Sequence, residues 1–95
     1  EFDGIILLAS YSTADLSNSD LNVLSIYGSN DGVLNMEKYS EHKPNLPSDF
    51  EEFIIDGGCH AYFGAYGEQE GDKKATITRD EQIKITVDEI TEFIK

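Results

Sequence analysis

The sequence predicts an α/β fold with parallel strands and flanking helices, on three observations. Three short strand-like runs, residues 4–10, 21–27 and 50–56, have the length of strands, and the first two carry apolar side chains on both faces, as buried strands of a parallel sheet do. Helix-compatible sequence lies between the second and third runs and again near the end of the chain, the alternation that crossover connections impose. The second and third runs also pass into polar or Gly-rich loops, each delivering one chemically useful side chain. These are Asp31 in Gly28-Ser29-Asn30-Asp31-Gly32 and His60 in Gly57-Gly58-Cys59-His60. In open α/β sheets ligands and catalytic groups collect at the C-terminal ends of the strands.

The first run, GIILLAS, is apolar throughout and is expected to be buried between helices. Residues 11–20 are small and hydroxyl-rich, with Asn18 as a turn former, and read as a loop. After the second strand, residues 33–42 suit a helix with Leu34, Met36 and Tyr39 on its inner face and Asp31 or Asn35 as N-cap. Pro44 and Pro47 end it. The third strand relies on Phe50, Phe53, Ile54 and Ile55 for burial. Glycines at 57, 58, 64, 67 and 71, interleaved with Tyr62, Phe63 and Tyr66, describe a structured loop, since aromatic side chains do not suit a flexible tether. Thr78-Arg79-Asp80-Glu81 is a capping box, and Ile83, Val87, Ile90 and Ile94 follow at helical spacing as one apolar stripe.

A net charge of −12, from 19 acidic and 7 basic residues, argues against nucleic acid and anionic membranes as partners. No apolar run approaches the ~20 residues that span a bilayer. A single cysteine, Cys59, makes no internal disulfide and reads as a small buried hydrophobe. His42 and His60 lack companions at metal-ligand spacing, and no glycine cluster opens a helix at phosphate-cradle or dinucleotide spacing, so neither metal nor cofactor is expected. A three-stranded parallel sheet leaves its edges bare. With an apolar strand starting almost at residue 1, the expectation is one partial domain, residues 1–95, of a longer protein.

Asp31 and His60 are the candidate catalytic pair. In nucleophilic hydrolysis an imidazole takes the proton of the attacking hydroxyl while a carboxylate on its other nitrogen fixes the tautomer. Adjacent parallel strands bring two such groups together at one end of a sheet.

Three stretches carry a family resemblance: GIILLASYS (4–12), LNVLSIYGSNDGV (21–33) and FIIDGGCHAYFGAYGEQEGD (53–72). Together the chain resembles the C-terminal part of an α/β-hydrolase, of the small bacterial dienelactone-hydrolase-like type. The resemblance implies Asp31 as triad acid, His60 as triad base, and a small ester or acyl substrate. The family's chain order of nucleophile, acid and histidine is kept by the two members present. The nucleophile elbow G-x-S-x-G does not occur in the sequence, so the resemblance implies a hydroxyl from upstream residues or a partner chain; an aspartate or cysteine there is the variant. Ser29 lacks the elbow's spacing, and Ser10 and Ser12 read as strand-end residues. Tyr62 and Phe63, beside the histidine, are candidates for a wall of the acyl or leaving-group pocket. The competing expectation is a non-catalytic α/β module that associates, with a partner or with its own copy, through its bare sheet edge.

Overall fold

A computed structural model describes residues 4–63 and 72–94. Strands β1 (Gly4–Leu8), β2 (Asn22–Gly28) and β3 (Glu51–Ile55) form a parallel sheet in the order β1-β2-β3. Ile6 pairs with Leu24, Leu24 with Glu51, and Gly28 with Ile55. Helix α1 (Met36–His42) runs into a 3-10 turn at Lys43–Asn45, and helix α2 (Arg79–Phe93) closes the described chain. Among the described residues no helix is long and apolar enough to cross a membrane.

β2 is central, and its alternation builds both layers. Leu24 and Ile26 face one side, where with Ile55 they form the core against Ile6, Phe53, Phe63, Ile77, Ile85, Ile90 and Phe93. Ser25 and Tyr27 face the other side and meet Tyr39 of α1. The Tyr39 hydroxyl donates to Glu52 Oε2 (2.6 Å), so Ser25 Oγ–H donates to Tyr39 Oη (2.7 Å). Burial, helped by the Glu52 bond, holds the Tyr39 phenol well above its ordinary value. This buried polar chain is satisfied at every step, so it specifies α1's seat without orphaning a group.

Several expectations need correction. β1 stops at Leu8, because Ala9 adopts a left-handed backbone (φ 52°), although the Ala9 N–H still donates to Ile26 O (2.7 Å). It is an edge strand, half-exposed along its length, and is not covered on both faces among the described residues. α1 begins at Met36, not residue 33. Asn35 is the cap, its Oδ1 accepting from Lys38 N, while Met36 is exposed. Ile54, expected inside, is exposed on β3.

The largest correction concerns α2. Its capping box forms as expected, Thr78 Oγ1 accepting from Glu81 N and Glu81 Oε1 from Thr78 N. Yet Ile83, Val87 and Ile94 are 45, 54 and 51% exposed, while Gln82 is fully buried at 0%. The inward stripe is Gln82, Ile85, Thr86, Ile90 and Phe93. The helix is turned this way by Gln82, which bonds both ends of one residue in the loop after β3. Cys59 N–H donates to Gln82 Oε1 (3.0 Å), and Gln82 Nε2 donates to Cys59 O (2.8 Å).

Candidate active site

The site lies where β2 and β3 end. Gly28 closes β2, and a side chain there would collide with the Gly58 carbonyl and come within 2.9 Å of Cys59 N. Only glycine lets the histidine loop pass so close over the strand end. Gly57 turns that loop with φ +81°, a conformation that favours glycine. The two loops are then laced by two backbone bonds and one to a hydroxyl: Ser29 N donates to Ile55 O (2.9 Å), Asn30 N to Gly58 O (2.8 Å), and Gly57 N to Ser29 Oγ (2.7 Å).

Asp31 and His60 meet on this frame. Asp31 Oδ2 lies 2.9 Å from His60 Nδ1, with the carboxylate 1% and the imidazole 23% exposed. Asp31 Oδ1 accepts from Val33 N (2.8 Å) and Leu34 N (2.7 Å), so the residue considered as a helix cap instead closes a local turn. An ionised carboxylate only accepts, so in the tautomer that this bond favours Nδ1 carries the proton and Nε2 presents its lone pair. That arrangement can abstract a proton at Nε2 and stabilise the resulting imidazolium through Asp31.

The alpha/beta hydrolase family model matches residues 1–84. The chain belongs to the alpha/beta hydrolase family. No curated protein and no solved structure matches it.

In this hydrolase-family chain the other candidates take distinct places. Tyr62 lies under the Arg79 guanidinium, 5.1 Å from ring centre to Cζ, and Phe63 packs against the core cluster. Tyr66 lies outside the described residues. Ser29 Oγ accepts from Gly57 N, and Ser12 Oγ donates to Ala14 O. Among the described residues no hydroxyl is hydrogen-bonded to His60. Cys59 is buried, and burial pushes its thiol up, with the Asp72 charge adding to the effect, so the thiolate is disfavoured. His42 stands apart, its ring stacked on Tyr11 at 4.7 Å. A cavity of about 120 Å³ is lined by Leu24, Phe53, Phe93 and four glutamates, and by neither member of the pair.

Two residues at the site escape a reading of the sequence. Asp72 accepts from Gly32 N, His60 N and Ala61 N. Burial works to raise its carboxyl, but the amides of Ala61, Gly32 and His60 outweigh that and hold it below the usual carboxylate value. Nothing in Gly71-Asp72-Lys73 marks such a role. Gln82 did leave a signal: Ile85, Ile90 and Phe93 form a rival helical stripe that contains it.

Proposed function

We propose that this chain supplies the acid and base of a serine-hydrolase-type site acting on a small ester or acyl substrate. The observation that carries the reading is the bond from His60 Nδ1 to a buried Asp31 carboxylate at the C-terminal ends of adjacent parallel strands. Membership of the hydrolase family and the chain order of acid and histidine support it. In this reading His60 Nε2 takes the proton of a hydroxyl as its oxygen bonds to the acyl carbon. The ring then returns that proton to the leaving oxygen as the carbon–oxygen bond of the ester breaks. Asp31 stays ionised throughout and orients the ring. Residues outside 1–95 supply the hydroxyl, and Tyr62 and Phe63 border the acyl or leaving group.

The test joins this chain to a nucleophile-bearing partner segment of the same protein and follows hydrolysis of a p-nitrophenyl ester. His60→Ala should lower turnover by about 10⁶-fold, as removal of a triad base does elsewhere. Turnover unchanged by that substitution would refute the reading.

A second reading is favoured by β1, which lies at an edge among the described strands and whose Leu8 is exposed. Here the chain pairs through β1 with a second copy of itself. Sedimentation equilibrium decides: a monomer at all concentrations sinks this reading and leaves the first intact.

A further inference from the structure

We propose that Asp72 is the positioning residue of the Asp31–His60 pair, holding the acid loop and the histidine loop in one register by accepting amide protons from both. The inference rests on the acid–base reading above and deepens it.

Asp72 belongs to neither loop, yet one carboxylate ties them. Its Oδ1 accepts from Gly32 N (3.0 Å), the peptide directly after the acid, and from His60 N (3.2 Å). Its Oδ2 accepts from Ala61 N (3.0 Å). The His60 and Ala61 amides bracket the His60 Cα, so two bonds set the backbone from which the imidazole projects. The Gly32 amide does the same for the carboxylate of Asp31. The residues that follow extend the tie. Lys74 O accepts from Asn30 Nδ2 (3.1 Å), and Thr76 N donates to Gly57 O (2.9 Å). Residues 72–76 thus form a strap across both strand ends.

The chemistry of the strap requires a carboxylate. Four amide donors, Lys73 N (3.0 Å) included, converge on two acceptor oxygens. Asparagine offers one oxygen and an NH₂: with its oxygen in the Oδ1 place Ala61 N faces a donor, and with the amide turned over Gly32 N and His60 N do. A shift of about 1 Å in a reacting group costs on the order of 10²-fold in rate. Asp72 therefore acts through the pair it holds and touches no substrate itself.

The test is ¹H and ¹⁵N NMR of the His60 ring in the 95-residue chain. In the unsubstituted chain the Asp31 bond fixes the Nδ1–H tautomer and shifts that proton downfield. Asp72→Asn should keep a cooperative urea transition yet lose the downfield proton, with both ring nitrogens moving toward the values of an unbonded histidine. Asp72→Glu should restore part of the signal. A folded Asp72→Asn chain with the wild-type signature overturns the proposal. An unsubstituted chain without the signature overturns the acid–base reading and this inference together. Should Asp72→Asn not fold, amide exchange in the unsubstituted chain decides. Gly32 and Ala61 amides slowed by about tenfold or more support the strap, and free-peptide rates overturn it.

Discussion

Replacing Gln82 by alanine tests how α2 is seated, because two candidate faces of this helix predict opposite results. In the structure Gln82 satisfies the buried N–H and C=O of Cys59, and truncation leaves both without a partner. Each orphaned buried group costs about 1–3 kcal/mol, so Gln82→Ala should lose about 2–6 kcal/mol. Ile83, one position along, is 45% exposed, and Ile83→Ala should cost under about 1 kcal/mol. Had the Ile83-Val87-Ile90-Ile94 stripe faced the core, Ile83→Ala would cost about 2–5 kcal/mol and Gln82→Ala little. The assay is thermal and urea unfolding of both variants beside the unsubstituted chain. For a chain of this size 1 kcal/mol moves Tm by about 4–8 °C, so Gln82→Ala should fall by at least about 8 °C. A larger loss from Ile83→Ala than from Gln82→Ala would refute the reasoning.

Three further outcomes are expected. Gly28→Ala should destabilise by about 1–3 kcal/mol or more, since the new Cβ meets the Gly58 backbone, which has no rotamer with which to yield; unchanged urea midpoints would contradict this. The depressed Asp72 carboxyl stabilises the fold above its unfolded value of about 3.9, and that contribution disappears as pH falls through the lower folded value. The gap in urea midpoint between the unsubstituted chain and Asp72→Asn should therefore narrow from pH 6 to pH 3, and a gap that widens would reverse the sign. Cys59, buried with its thiol pushed up, should react with a disulfide reagent far more slowly in buffer than in urea, and equal rates would contradict its burial.

The parts of this fold that can be read from sequence are those written in local patterns. The β2 run, the capping box at Thr78 and Glu81, and the paired appearance of Asp31 and His60 after successive strands each occupy a few adjacent residues. What sequence hides depends on contacts between distant segments. The Ile83 stripe is a genuine helical pattern, and it loses because a polar pair 23 residues away, the N–H and C=O of Cys59, needs a partner that only Gln82 provides. Ile54 belongs to an apolar run, but only the sheet order shows that β3 lies at an edge among the described strands. Asp72 is 41 residues from Asp31, and no spacing rule connects an acid in a polar loop to amides it will meet only after folding.

These long-range contacts share a property with consequences for the site. Gly28 admits the Gly58 backbone, Asp72 binds the amides of Gly32, His60 and Ala61, and Gln82 binds both polar groups of Cys59. Each acts on backbone, and together they fix the main chain on both sides of His60. The imidazole is left with its side-chain torsions, and the 2.9 Å bond to a buried, triply bonded Asp31 carboxylate selects among those. Orientation of the ring therefore depends little on which apolar side chains surround it. The substitutions that matter are at Gly28, Asp72 and Gln82, none of which needs to touch a substrate. Volume-conserving exchanges among Ile77, Ile85 and Phe93 should alter stability by less than about 1.5 kcal/mol and leave the His60–Asp31 bond in place.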